Sequence, residues 1–149
     1  MKSVMKTSLR PLVLAFLFGA GNAWAAGATQ VDVFKSPFCG CCEEWIKHMR
    51  ANGFAVHSHK DSELPGDIKK LHIAEDLESC HTAKIDGYVV IGHVPAADIR
   101  RLQKERPKAI GLTSPGMPAS APGMDGAGQV PYDVLLIKPD GTTRIFARH

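Results

Sequence analysis

Gln30-Val31-Asp32-Val33-Phe34-Lys35-Ser36-Pro37-Phe38-Cys39-Gly40-Cys41-Cys42-Glu43-Glu44-Trp45 decides how this chain folds. Val31 and Val33 alternate with polar neighbours, so Gln30–Phe34 reads as a half-buried strand. Ser36-Pro37-Phe38 turns the chain. From Cys41 to Ala51, Trp45, Ile46 and Met49 recur at helical spacing, and Asn52-Gly53 is a stop. Three sulfurs therefore sit where a strand hands over to a helix. Cys39 and Cys42 have the CxxC spacing of a thiol–disulfide redox site, whose first cysteine at a helix start is expected to favour thiolate. Cys41 is a sulfur that such a site does not need, and Cys80 is the one further cysteine in the chain. A dithiol requires two cysteines; a soft-metal site uses three or four.

Outward from this stretch the patterns alternate. Phe54–His59 reads as a second strand. Leu64, Ile68 and Leu71 mark a second helix with Pro65 in its first turn. Thr82–Ile85 and Tyr88–Ile91 flank Asp86-Gly87, a strong hairpin signal. Pro95–Arg106 carries Ile99 and Leu102 inward as a third helix, which Pro107 ends. The order β-α-β-α-β-β-α describes a small α/β sheet with helices packed on it. Pro107–Pro131 is rich in Pro, Gly, Ala and Ser and reads as a loop bearing Met117 and Met124. Tyr132–Lys138 and Thr142–Ala147, around Pro139-Asp140-Gly141, form a terminal hairpin. A loop anchored at both ends can fold back over a site. Its thioethers serve either as packing or as soft donors to a sulfur-rich centre.

The N-terminus reads as an address. Met1–Arg10 carries Lys2, Lys6 and Arg10 without an acid, Pro11–Ala20 is apolar, and Ala23-Trp24-Ala25 offers a cleavage site. Residues 1–25 have the form of a secretory signal peptide cleaved after Ala25, with an apolar run too short to span a membrane. An uncleaved anchor is the alternative. The full chain has 18 Lys and Arg against 15 Asp and Glu; without the leader's three bases the two balance. A neutral exported domain gives no electrostatic reason to expect nucleic acid or acidic lipid as partner. Export permits disulfides, yet two structural staples fit poorly, because three cysteines within four residues close almost no loop.

Of the seven histidines, His81 and His93 are the ones to keep. His81 adjoins Cys80, and His93 begins the turn before the third helix. His48 lies about 10 Å along the helix from Cys41, too far to share a metal. His57 and His59 share one strand face, which is either solvated or a second, exposed metal site. His72 and His149 carry no signal. Glu43 and Glu44 read as acids placed favourably in a helix's first turn. No Ser-His-Asp pattern, phosphate loop or internal repeat is present in the sequence.

The chain resembles the thioredoxin superfamily at Ser36-Pro37-Phe38-Cys39-Gly40-Cys41-Cys42, and Ile85-Asp86-Gly87 with its following strand looks like the end of a glutaredoxin. In that register Cys80-His81 stands where the superfamily has a residue and a cis-proline. The resemblance thus implies that Cys80 lies against the CxxC, and that the usual substrate-docking loop is altered. A narrower resemblance is to the CopG-type periplasmic copper-resistance family. It rests on the CxCC motif, Ser79-Cys80-His81-Thr82-Ala83, Gly92-His93-Val94-Pro95, and Gly111-Leu112 leading into Gly116-Met117-Pro118. The fold it implies is a thioredoxin-like domain over 26–106, with a metal-capping loop and hairpin extension over 107–149. The function it implies is a cysteine-bridged multinuclear copper centre with a redox role in copper handling.

The donor set agrees, since thiolates and thioethers suit Cu(I). A structural zinc site would pair two separated knuckles, and only one is present. Cys39, Cys41, Cys42, Cys80, Met117 and Met124 are the expected metal ligands. Cys39 as nucleophile and Cys42 as resolving thiol are the catalytic pair if disulfide exchange is the activity. Three functions stay open: a copper-binding redox protein, a periplasmic thiol–disulfide oxidoreductase, and a passive copper store or chaperone. The expected partners are copper ions and copper efflux or chaperone proteins, and the expected state is a monomer.

Overall fold

A computed structural model describes residues 27–124, 126 and 128–149. The expected signal peptide lies outside the described residues. The first strand, β1 (Gln30–Lys35), and the second, β2 (Ala55–Lys60), run parallel on either side of helix α1 (Gly40–Ala51). After a one-turn helix α2 (Gly66–Lys69) come β3 (His81–Ile85), β4 (Tyr88–Gly92), helix α3 (Ala96–Glu105) and strands β5 (Gly111–Ser114), β6 (Asp133–Ile137) and β7 (Thr143–Arg148). They form one seven-stranded sheet in the order β2-β1-β3-β4-β5-β6-β7. With β3 antiparallel to β1 and β4 antiparallel to β3, the first four strands and their helices make the expected thioredoxin-like α/β arrangement.

Trp45, Ile46 and Met49 of α1 and Ile99 and Leu102 of α3 pack on one face, against Val31, Val33, Ala83, Ile85, Val90, Leu112 and Leu136. Burying each of the Val, Leu, Ile and Met side chains among these is worth about 1.5–3 kcal/mol. The helical period read from the sequence is thus the core-facing stripe. Asp86 (φ 50°) and Gly87 (φ 84°) both take positive φ, as the tight turn between β3 and β4 requires.

Two expectations change. The second helix is a single turn, Gly66–Lys69, flanked by 3-10 turns at Asp61–Glu63 and Glu75–Leu77. Pro65 caps it and His72 (φ 47°) breaks the path beyond. Ile68 and Leu77, with Leu64 and Leu71 beside them, are still buried, against Val89, Ile91 and Ile137 on the sheet's other face. The apolar period therefore reports burial there and not helix.

The stretch read as a loop contains β5, which runs parallel to β4 and antiparallel to β6. All four of its residues are buried. A strand covered on both faces carries no alternation, and four residues give no length signal. Residues 107–149 thus continue the same sheet through β5, β6 and β7.

Candidate metal centre

The site forms where β1 ends and α1 begins. The Ser36 hydroxyl accepts from the Phe38 N–H at 3.3 Å, and the Ser36 carbonyl accepts from the Cys39 N–H at 3.2 Å. These two bonds set a turn that delivers Cys39 to the N-cap of α1. Cys41 and Cys42 follow in the first helical turn. Cys39 and Cys42 are joined by a disulfide, with Cα atoms 5.4 Å apart, while Cys41 and Cys80 are free thiols. Cys39 Sγ lies 3.6 Å from Cys41 Sγ. Cys42 is fully buried and its sulfur sits 3.6 Å from the Cys80 carbonyl oxygen.

Cys80 comes from the segment leading into β3. Its sulfur and those of Cys39, Cys41 and Cys42 all lie within 4.8 Å of one another. The register implied by the thioredoxin resemblance therefore places the fourth cysteine correctly. Among the described residues there is no cis peptide. Gly92, at φ 71°, permits the approach of this segment, because a Cβ there would stand 2.7 Å from Ser79 Oγ and 2.9 Å from the Ser114 carbonyl.

Cys80 belongs to a second group as well. Its sulfur is 3.2 Å from His93 Nε2 and 3.5 Å from His81 Nδ1, and the three donor atoms lie within 4.8 Å of one another. The hydrogen bonds separate the two imidazoles. His93 Nδ1–H donates to the Pro122 carbonyl at 2.7 Å, so Nε2 keeps its lone pair and points it at Cys80. Burial lowers the His93 pKa, which keeps the ring neutral. This is the arrangement of a metal-ligating histidine whose other nitrogen is held by a carbonyl.

His81 packs on Trp45 with ring centroids 4.5 Å apart, and its Nε2 is buried without a hydrogen-bond partner. Burial first, then the neighbouring His93, whose ring could not be charged at the same time, drives its pKa down to about 3. A buried acceptor left unpaired fits this setting better than a buried donor, so Nδ1–H is directed at the Cys80 sulfur. Burial, and then the neighbouring Cys41, raise the Cys80 pKa. Without metal, Cys80 is therefore a thiol that donates to His93 Nε2.

The loop after β5 does fold back. Gly123, at φ 85°, lies so close to α1 that a Cβ would stand 2.5 Å from the Trp45 amide nitrogen and 3.0 Å from the Cys41 carbonyl. Only glycine satisfies both the conformation and the contact. Pro122 beside it holds His93. Met124, half-buried, follows directly, which brings its backbone to the first turn of α1. Met117, at φ 46°, is half exposed in the turn after β5.

Three participants escaped sequence reasoning. Lys35 is only 4% exposed, and its ammonium pairs with Glu43 at 2.6 Å and donates to the Ser36 carbonyl at 3.1 Å. It places a buried positive charge on the residue that pairs with His81 across β1 and β3. The signal was its parity with Val31 and Val33. Pro122 and Gly123 had no signal beyond a glycine in a proline-rich loop. The discounted histidines have other work. His48 Nε2 accepts from the Ala96 N–H at the start of α3, while His57 and His59 pair with Gln30 and Asp32 on an accessible strand face.

The fold and this cluster define a thioredoxin-like α/β protein with a cysteine-rich site able to hold metal. A family described as "Protein of unknown function, DUF411" matches residues 77–124, the span that holds Cys80, His93 and the loop from Met117 to Met124. Two solved structures match, titled "Copper resistance protein copG- Form 2" and "Copper resistance protein copG- Form 1". Each is 41% identical, with a TM-score of 0.74, covering 82% of this chain and 98% of the other. The chain belongs to the copper resistance protein CopG family. No curated protein matches it. Among the described residues, no helix is long and apolar enough to cross a membrane.

Proposed function

We propose that this is an exported, periplasmic copper-binding redox protein. It holds more than one copper ion in a centre bridged by the sulfurs of Cys39, Cys41, Cys42 and Cys80. His93 Nε2 adds a nitrogen donor on the Cys80 side, and the Met117–Met124 loop caps the centre. The observation that carries this reading is the double membership of Cys80, which stands within 4.8 Å of three sulfurs and, separately, of two imidazole nitrogens, of which His93 Nε2 has its lone pair free. A single ion does not need two donor groups meeting at one sulfur, whereas a thiolate shared between ions uses both. The donors are soft sulfur and neutral imidazole, the set that suits copper in both common oxidation states. Copper arrives as cargo, supplied or removed by copper chaperone or efflux proteins.

Thiol–disulfide exchange is the second reading, favoured by the Cys39–Cys42 disulfide. Against it stands the Ser79-Cys80-His81 segment, which occupies the position of a substrate-docking loop with groups suited to metal. Paired assays on one preparation separate the two. Copper-loaded protein is expected to reduce a model disulfide such as insulin poorly, and to keep its copper through a cycle of chemical reduction and reoxidation. Robust disulfide turnover in the loaded form would reverse the ranking. Copper lost in the first cycle would favour passive storage.

A further inference from the structure

The two donor groups differ in what they can do with electrons. We infer that the protein reduces Cu(II) with the Cys39–Cys42 pair as its electron source, while Cys41, Cys80 and His93 keep the Cu(I) product. This rests on the copper-redox reading above and supplies the electron donor that it lacks. The pair closes into a disulfide within the folded structure, and its sulfurs lie within 4.8 Å of those of Cys41 and Cys80. Closure withdraws Cys39 and Cys42 from the centre and leaves the Cys80 side in place. Two free thiols remain, and the Cys80 sulfur still faces His93 Nε2 at 3.2 Å. Soft sulfur and one neutral imidazole at low coordination number favour Cu(I) over Cu(II), so the ligand set left after closure is suited to the reduced ion.

The step balances as two thiols and two Cu(II) ions giving one disulfide, two Cu(I) ions and two protons. The S–H bonds of Cys39 and Cys42 break, their protons pass to water, one S–S bond forms, and each copper gains one electron. Resetting the pair requires a reduced protein dithiol. Cys39 is partly accessible whereas Cys42 is fully buried. The incoming thiolate therefore attacks Cys39, forming a mixed disulfide and releasing Cys42 as thiolate. The second thiol of the donor then displaces Cys39 and leaves as the donor's own disulfide. Phe38, 94% exposed beside Cys39, marks the open side of that approach.

The test uses the mature protein, fully reduced, freed of reductant and titrated without oxygen with copper(II) sulfate. Copper oxidation state is followed by electron paramagnetic resonance and a Cu(I)-specific chelator. Free thiols are counted, and disulfides mapped by mass spectrometry, on the same samples. The expected result is two Cu(I) per chain, loss of two of four thiols, a 2 Da decrease in mass and a Cys39–Cys42 bridge. Persistent Cu(II) resonance with four thiols intact would overturn the inference. So would reduction that consumes Cys41 or Cys80, or that runs past two electrons per chain. Metal analysis after gel filtration isolates the underlying reading: no retained copper refutes copper binding itself, whereas retained copper with four intact thiols refutes only the dithiol as electron source.

Discussion

The two sides of the metal centre are built in opposite ways. On one side, three sulfurs occupy the N-cap and first turn of α1, contributed by one continuous segment and able to form a disulfide. On the other, Cys80, His81 and His93 come from the entry to β3 and the turn after β4, with both imidazoles buried and neutral and His93 held from a third segment by Pro122. The first side is local and chemically changeable. The second is assembled by the tertiary fold and fixed. The contrast teaches that the CxCC segment can change its bonding within one short stretch of chain, whereas the Cys80 side exists only once the fold has assembled it.

The largest expected effect comes from removing the sulfur shared by both sides. Cys80→Ser should leave one copper or less per chain and abolish the spectrum of the multinuclear species, measured by metal analysis and absorption. Retained stoichiometry would mean that the two sides do not meet at this sulfur. Next, His93→Ala, which removes a nitrogen donor itself, should weaken copper retention by at least the roughly 10–100-fold that loss of a ligand's supporting partner costs. It should also destabilise the metal-free protein by about 1–3 kcal/mol, because the Pro122 carbonyl loses its donor. Competition with a copper chelator and a denaturant titration separate these two effects.

The buried side also predicts a pH dependence. An unfolded histidine titrates near 6.5, whereas His81 in the fold titrates at about 3. Between those values the unfolded chain binds a proton that the native state refuses. Stability of the metal-free protein is therefore fully present above about pH 6.5 and falls as pH drops toward 3, by a total on the order of a few kcal/mol. His93 shifts in the same direction. Denaturant midpoints across this range should fall with acid in the wild type and flatten in His81→Gln. An equal slope in the variant would remove His81 as the cause.

The smallest effect is expected from the cap. Replacing Met117 and Met124 together with Ala should leave the fold intact and modestly weaken copper retention or speed its oxidation, since thioethers add soft donation and exclude water without charge. Unchanged affinity and unchanged absorption would reduce the loop to the backbone role that Pro122 and Gly123 already fill.

Legibility in the sequence followed the same division. The alternation at Val31 and Val33, the stripe of Trp45, Ile46 and Met49, and the Asp86-Gly87 turn each express one local rule, and the structure obeys them. The CxCC side of the site was readable for the same reason. The helix at Leu64–Leu71 shrank to one turn because burial under the sheet imposes the same apolar spacing as a helix. Strand β5 stayed hidden because a strand covered on both faces has no alternation. His93 was kept as a candidate, but its tautomer and direction depend on a carbonyl 29 residues away, which no local pattern encodes. Lys35 was legible by parity and went unread because a buried lysine contradicts composition-based expectation.

The copper-to-protein ratio of the reduced, mature protein, loaded with copper and then freed of loosely held metal, tests the central claim most directly. Two donor groups joined at Cys80 predict more than one copper per chain, with loss of the additional metal in Cys80→Ser. A ratio of one or less in fully reduced protein would contradict a shared, sulfur-bridged centre.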